Sequence, residues 1–252
     1  MDRMIHLSLN TLDIALRKQA VSAQNLSNMN VTGYRRDVYD SFGSVYLDAD
    51  EQLDTRVFAI TSGSGAFDEQ QGRMRSTEQA TDMAIDGQGF FVSKKDGMEP
   101  SLTRRGDMSV SIEGELVNGA GAKILNENLQ PITVPAFREL ILSEDGKLFI
   151  KPIDGEPGVT QLVGAIGLVS GENVELRKDL DGEIRPADGQ PIVTDQNVKV
   201  KQGYIEESNV SVIDELVASM GYQRSYEMNM KLIKLASDID EKTGSLLRMP
   251  NG

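Results

Sequence analysis

Residues 19–36 read QAVSAQNLSNMNVTGYRR, a stretch that carries no charged side chain until Arg35 and closes on Thr32-Gly33. Upstream, Ile5, Leu9, Leu12, Leu16, Gln19, Ala23 and Leu26 recur at alternating steps of four and three, a heptad seam with one polar interruption at Gln19. The spacing predicts an amphipathic helix of about 24 residues. Its opposite face holds Ser8, Thr11, Gln24 and Ser27, where a solvated helix face usually carries Lys and Glu. Two readings fit: a helix packed on its own domain, or one enclosed by other chains, its small polar residues permitting close approach on several sides. Asn28, Asn30 and Gly33 then end the helix, because Asn and Gly tolerate the left-handed backbone that closes a helical turn.

Downstream of Arg35 the pattern becomes irregular as far as Gly72. Gly43, the acidic run Asp48-Ala-Asp-Glu51 and the tract Ser62-Gly-Ser-Gly65 suggest an extended connector, with short strands expected around Arg56 to Ile60. From Gly72 the grammar is that of β structure. Met83-Ala-Ile85, Gly89-Phe-Phe-Val92, Glu139–Leu142, Lys147–Ile150 and Leu162–Val169 are short runs separated by turn residues. Asp-Gly pairs begin at Asp86, Asp96, Asp145, Asp154, Asp181 and Asp188, and such pairs supply the positive backbone angles of tight hairpins. Every proline falls at or after Pro100, and all but Pro250 lie in this section, as suits strand edges and turns. An antiparallel β domain of roughly 125 residues is expected.

Helical periodicity returns after Gly203. Ser208 or Asn209 is the expected cap, Asp214 and Glu215 favour the first turns, and Ile213, Val217, Met220, Tyr226, Met230 and Ile233 mark the apolar face. Gly221 and the jump from Met220 to Tyr226 weaken that seam, yet the helix is expected to run to about Leu247. The fold class is therefore α+β: N- and C-terminal helices forming a coiled-coil-like axial domain, flanking a central, mostly antiparallel β domain. The expected divisions are 1–34, 35–75, 76–200 and 201–252.

Composition excludes several kinds of function. The net charge is −13, and basic pairs such as Arg35-Arg36, Lys94-Lys95 and Arg104-Arg105 are isolated, so no basic stripe awaits a phosphate backbone and no nucleic-acid partner is expected. Most of the acidic excess lies between the two helical ends. Cysteine is absent, which removes disulfides, thiol catalysis and thiolate metal sites. The N-terminus contains Asp2 and Asp13 and no apolar run of signal-peptide type.

Residues suited to catalysis are also scarce. His6 is the only imidazole, so a His-based metal site or triad is not available. Gly63-Ser-Gly65, Gly87-Gln-Gly89 and Gly119-Ala-Gly121 lack the spacing of a dinucleotide or phosphate loop. Asp179-Leu-Asp181-Gly182-Glu183 hints at calcium, but Pro191 follows where a helix would be needed, so it reads as a hairpin turn. Abundant carboxylates leave a sugar-cleaving pair conceivable, yet Trp is absent and the acids sit beside Gly in turns. No catalytic residue, cofactor, metal or small-molecule substrate is expected.

Three segments resemble the flagellar basal-body rod proteins. The first is Gln19 to Arg35, with Asn25-Leu26-Ser-Asn28 and Thr32-Gly33-Tyr34-Arg35. The second is Asp82-Met-Ala84-Ile85-Asp-Gly87-Gln88-Gly89-Phe90-Phe91-Val92 with Thr103-Arg104-Arg-Gly106 and Gly114-Glu-Leu116-Val117. The third is Gln202-Gly203-Tyr204-Ile205-Glu206-Glu-Ser208-Asn209-Val210 with Gln223-Arg224-Ser-Tyr226-Glu227. Glu78-Gln-Ala-Thr81 and Ser101-Leu102 depart from the family pattern. The chain length and the short connector between Tyr34 and Gly72 are closer to the proximal-rod type than to the distal-rod type.

The resemblance implies an axial structural protein whose terminal helices build an inner tube while the β domain lies outside it. The implied partners are lower proximal-rod subunits, distal-rod subunits, neighbouring copies and the flagellar export apparatus, and the implied location is the basal body across the periplasm, reached without a cleaved signal. Assembly is expected to use Ile5, Leu9, Leu12, Leu16, Leu26, Ile213, Val217, Met220, Met230 and Ile233. Asn25, Asn28, Gly33, Gly203, Ser208 and Asn209 are expected to set the turns joining the tube to the outer domain. A distal-rod or hook-type subunit is the nearest alternative, and a periplasmic carbohydrate-acting enzyme the remote one.

Overall fold

A computed structural model describes residues 2–39, 43–47, 55–60, 65–153, 158–171, 174–195 and 197–247. The chain divides into two compact units, the first made of Met1–Ser27, Asp37–Ser64 and Ser211–Gly252 and the second of Asn28–Arg36 and Gly65–Val210. The fold is α+β, and every strand pair among the described residues is antiparallel.

In the first unit, helix α1 spans Asp2–Ser27 and helix α2 spans Val212–Leu247. Between them in sequence, β1 (Gly43–Leu47) and β2 (Thr55–Ile60) form a hairpin with a register shift between Ser44 and Tyr46. β2 falls where short strands were expected, around Arg56 to Ile60, and its pairing with β1 is the addition; Asp48–Glu51 and Ser62–Ser64 lie outside the described residues. The α2 cap is Ser211, not Ser208 or Asn209: the Asp214 N–H points at Ser211 Oγ at 3.4 Å, and the Glu215 N–H donates to the Ser211 carbonyl at 3.0 Å. Gly221 lies inside α2 without ending it, since the cost of one glycine, about 1 kcal/mol, is spread over a long helix.

The second unit holds β3 (Met74–Ser76), β4 (Met83–Asp86), β5 (Phe90–Lys94), β6 (Ser101–Thr103), β7 (Met108–Val110), β8 (Leu116–Asn118) and β9 (Lys123–Ile124). It continues with β10 (Phe137–Leu142), β11 (Lys147–Pro152), β12 (Gln161–Ala165), β13 (Leu168–Val169), β14 (Leu176–Lys178), β15 (Ile184–Pro186), β16 (Lys199–Gln202) and β17 (Tyr204–Glu206). The main sheet runs β14-β15-β6-β5-β9-β8-β7 with β13 added against β5, and β10-β11-β12 form a second sheet. The last two strands return to early ones, β16 to β4 and β17 to β3.

Strand β5 explains where the core sits. Successive strand side chains point to opposite faces, so Phe91 enters a cluster with Met83, Ile85, Leu116, Ile124, Leu148 and Ile166, while Phe90 and Val92 enter another with Leu102, Leu125 and Ile184. A strand that feeds two cores cannot alternate apolar with polar, which is why Phe-Phe-Val is continuous.

The run Leu162–Val169, read as one strand, is two. β12 stops at Ala165, Ile166 bridges to Asn126, and a Cβ on Gly167 would come within 2.8 Å of the Asn126 carbonyl. Of the Asp-Gly pairs, those at Asp96, Asp145 and Asp181 close hairpins between paired strands. Asp86-Gly87 instead separates β4 and β5, which pair elsewhere, and Asp188-Gly189 falls in a 3-10 turn. Asp154-Gly155 lies outside the described residues.

Candidate assembly surface

α1 and α2 pack along each other, with the last turns of α1 meeting the first turn of α2, so the two helices run in opposite directions. Among the described side chains, the buried residues of α1 are Ser8, Ala15, Ser22 and Asn25, and those of α2 are Glu215, Asn229 and Ala236. Ser8, Ala15 and Ser22 recur every seven residues, as do Glu215, Asn229 and Ala236 with half-buried Tyr222. Small side chains let two helix backbones approach closely, and the polar ones among them need partners once buried. They have them: Ser22 Oγ donates to the Glu215 carbonyl at 3.1 Å, and Asn25 Nδ2 donates to Glu215 Oε1 at 3.0 Å. Asn25 also clamps the peptide that re-enters the unit, donating to the Asp37 carbonyl at 2.9 Å and accepting from the Asp37 N–H at 2.8 Å.

Most of the large apolar residues described on the two helices are on the outside. Leu9 is 48% exposed, Leu16 45%, Val217 65% and Ile213 74%, with Leu216, Met220, Met228, Met230, Leu232, Leu235 and Ile239 also exposed. Leu12, Leu26 and Ile233 are half-buried. Ile5 lies on α1, but its side chain is outside the described set. The apolar seam and the face that joins the two helices are therefore different faces, and the small polar face is the one used within the chain.

The expected turn residues fall in two places. Asn25 belongs to the helix pair just described. The others lie in the β unit, where the Asn28 carbonyl accepts from the Val31 N–H at 3.0 Å and Gly33 sits at φ +66°. A Cβ on Gly33 would lie 2.3 Å from the Arg104 carbonyl carbon, so only glycine fits. Gly203 turns between β16 and β17 at φ +77°. Ser208 Oγ accepts from the Val210 N–H at 3.2 Å. Asn209 accepts from the Arg36 N–H at 2.6 Å and donates to the carbonyls of Asp68 and Gln70 at 3.1 and 2.9 Å.

A cluster that the sequence reading passed over lies among them. Glu206, Arg35 and Arg104 are all but fully buried. Glu206 Oε1 lies 3.0 Å from Arg35 Nη1 and accepts from the Gly72 N–H at 2.8 Å, and Oε2 lies 3.3 Å from Arg104 Nη1. Arg104 also donates to the carbonyls of Ile85 and Gly87, and Arg35 to that of Gln70. Burial pushes the Arg35 guanidinium below its ordinary value against the pull of Glu206, and lowers Arg104 to about 10. A sequence gives no sign that a charged residue is buried; the available signal was that all three fall within the motif segments quoted above. Among the described residues no group of acidic or histidine side chains is arranged to hold a metal, and no helix is long and apolar enough to cross a membrane.

Comparison with known proteins matches two parts of the chain to family models. Residues 84–150 match one described as flagellar hook protein FlgE/F/G D1 domain, and residues 201–246 one described as flagellar basal body rod FlgEFG protein C-terminal. The chain is 28% identical to the flagellar basal-body rod protein FlgF of Salmonella typhimurium LT2 and 30% identical to FlgF of Escherichia coli K12. Each alignment takes in 99% of this chain and 100% of the relative. It is also 30% identical to the flagellar basal-body rod protein FlgG of Borreliella burgdorferi B31, over 86% of this chain and 88% of that one.

Proposed function

Because the chain belongs to the flagellar basal-body rod protein family, we propose that it is a proximal-rod subunit of the FlgF type, linking the lower rod to the distal rod and transmitting motor torque. It is a structural subunit, not an enzyme. In this reading α1 and α2 join the same helices of neighbouring subunits in an axial, coiled-coil-like tube, and the unit of residues 28–36 and 65–210 forms the outer β domain. Its partners are lower proximal-rod subunits, FlgG-like distal-rod subunits and further copies of itself, and it reaches the basal body through the flagellar export apparatus. Stiffness without covalent links comes from many close helix contacts acting in parallel.

The observation that carries the reading is the inverted polarity of the helix pair. Ser22, Asn25 and Glu215 are satisfied within the chain while Leu9, Leu16, Ile213 and Val217 stay exposed. Large apolar side chains exposed in a row on both helices call for cover, since monomeric proteins rarely leave extended apolar patches open. Neighbouring helices of like composition supply that cover. Like charges repeated around a tube would repel their copies, which fits the low charge of residues 19–34.

Leu16→Asp tests it. The side chain is already 45% exposed, so the purified variant should melt within about 0.5 kcal/mol of the parent. In an enclosed seam the same carboxylate costs several kcal/mol, so rods should fail to complete and cells should not swim. Normal swimming would remove the seam from the assembly. The FlgG-type alternative is favoured by the comparable identity to FlgG. Labelling the subunit in isolated basal bodies separates the two, a label next to the hook favouring the distal type.

A further inference from the structure

The chain passes between its two compact units four times, after Ser27, Arg36, Ser64 and Val210. Three of these passages have their β-unit ends bonded to one another. Gly33–Arg36 and Glu206–Asn209 run in the same direction and are stitched together: the Gly33 N–H donates to the Glu206 carbonyl at 2.7 Å, and the Asn209 N–H to the Tyr34 carbonyl at 3.3 Å. The third, Asp68–Gly72, is held by Asn209 through two carbonyls, by Arg35 through the Gln70 carbonyl, and by Glu206 through the Gly72 N–H. Arg104, on the loop between β6 and β7, fixes the same carboxylate to the sheet. Lys178 adds a further tie to the first passage, with Nζ bonded to the Arg35 carbonyl and 4.0 Å from the centre of the Tyr34 ring.

Two buried guanidinium groups against one carboxylate are a poor way to gain stability, since apolar side chains of similar volume usually serve as well or better. The cluster instead fixes position. Resting on the rod-subunit reading, we propose that Glu206 is a positioning residue that ties three chain passages into one node, so that load entering the β unit along any of them is shared by all. A single passage pulled alone would peel away bond by bond. Three passages clasped through one buried carboxylate must give way together.

Glu206→Gln in the full chain tests this, with Glu207→Gln as control. Glu207 is the next residue, makes the same change of charge, and pairs with Arg75 at 3.0 Å on the exposed surface. Hydrogen exchange of the purified proteins should be about tenfold faster at Gly33 and Gly72 in Glu206→Gln than in the control, with Phe91 and Ile124 unchanged. Rods built from that variant should drive swimming in dilute medium and fail as viscosity is raised, while the control swims in both. Should Glu206→Gln not fold, Asn209→Ala carries the test at the same amides, because it opens the node without leaving a charge unpaired. Exchange within about twofold of the control overturns the clasp, and an opened node with unimpaired swimming at high viscosity overturns its part in carrying load. Neither result touches the rod reading, which Leu16→Asp decides separately.

Discussion

Gly33 shows how much a single position can demand. Its backbone lies in the left-handed region, and the peptide of Arg104-Arg105 presses against the place where a side chain would begin. Gly33→Ala combines backbone strain with a clash against backbone that cannot rotate away, so we expect a loss of about 1–3 kcal/mol, read as a lower urea midpoint of the purified protein. Gly203→Ala makes the informative comparison, because Gly203 has a similar φ but open space around its Cβ direction; it should cost less. Equal losses at both sites would mean that the contact with Arg104 adds nothing to the strain. That Gly33 turns the chain was readable from Thr-Gly after an Asn-rich stretch, but it does not end the helix: α1 stops at Ser27, neither Asn28 nor Asn30 takes a positive φ, and Gly33 sits in the separate turn from Val31 to Tyr34. That it also seats a distant loop was not, because residue type records backbone freedom and not what approaches it.

The two helices and most longer strands were legible for the same reason: apolar spacing reports local geometry directly. The face each helix buries was legible only in part. A leucine seam reads as the inside of something, and the sequence does not say of what. Within the chain the inside is Ser8, Ala15 and Ser22, whose seven-residue repeat was there to be seen but carries little hydropathy. Short strands such as β7, β14 and β17 escaped because three residues hold less than two periods of alternation. The α2 start was misplaced by two or three residues because Ser208, Asn209 and Ser211 are all good caps, and the bonds Ser208 and Asn209 make to Val210, Arg36, Asp68 and Gln70 take them out of contention. Ser211→Ala should therefore destabilise α2 by about 1 kcal/mol, seen as faster exchange at Asp214 and Glu215. Ser208→Ala should leave those amides unchanged, and the reverse pattern would restore Ser208 as the cap.

Over the whole chain, the division of labour lies between an apolar-faced helical unit and an acidic β unit. The net charge of −13 comes mostly from residues 65–210, where many acids sit in turns beside Gly or pair with a local base, as Asp145 does with Lys147 and Asp181 with Arg185. Local pairing does not cancel the excess, so copies brought side by side repel through their β units while their helices attract. Salt acts on these terms unequally. At about 0.1 M the screening length is near 10 Å, which weakens repulsion between exposed charges and leaves apolar contact almost untouched. Self-association of the purified protein should then strengthen as sodium chloride rises from about 0.03 to 0.3 M, measured by sedimentation equilibrium. Replacing exposed acids such as Glu99 and Glu113 with Gln should flatten that dependence, since it removes repulsion that salt would otherwise screen. Leu16→Asp should lower association at every salt concentration, because it acts on the attractive side. Association that instead weakens with salt would mean that ion pairs between subunits outweigh the repulsion, and that the acidic β surface is itself the adhesive face.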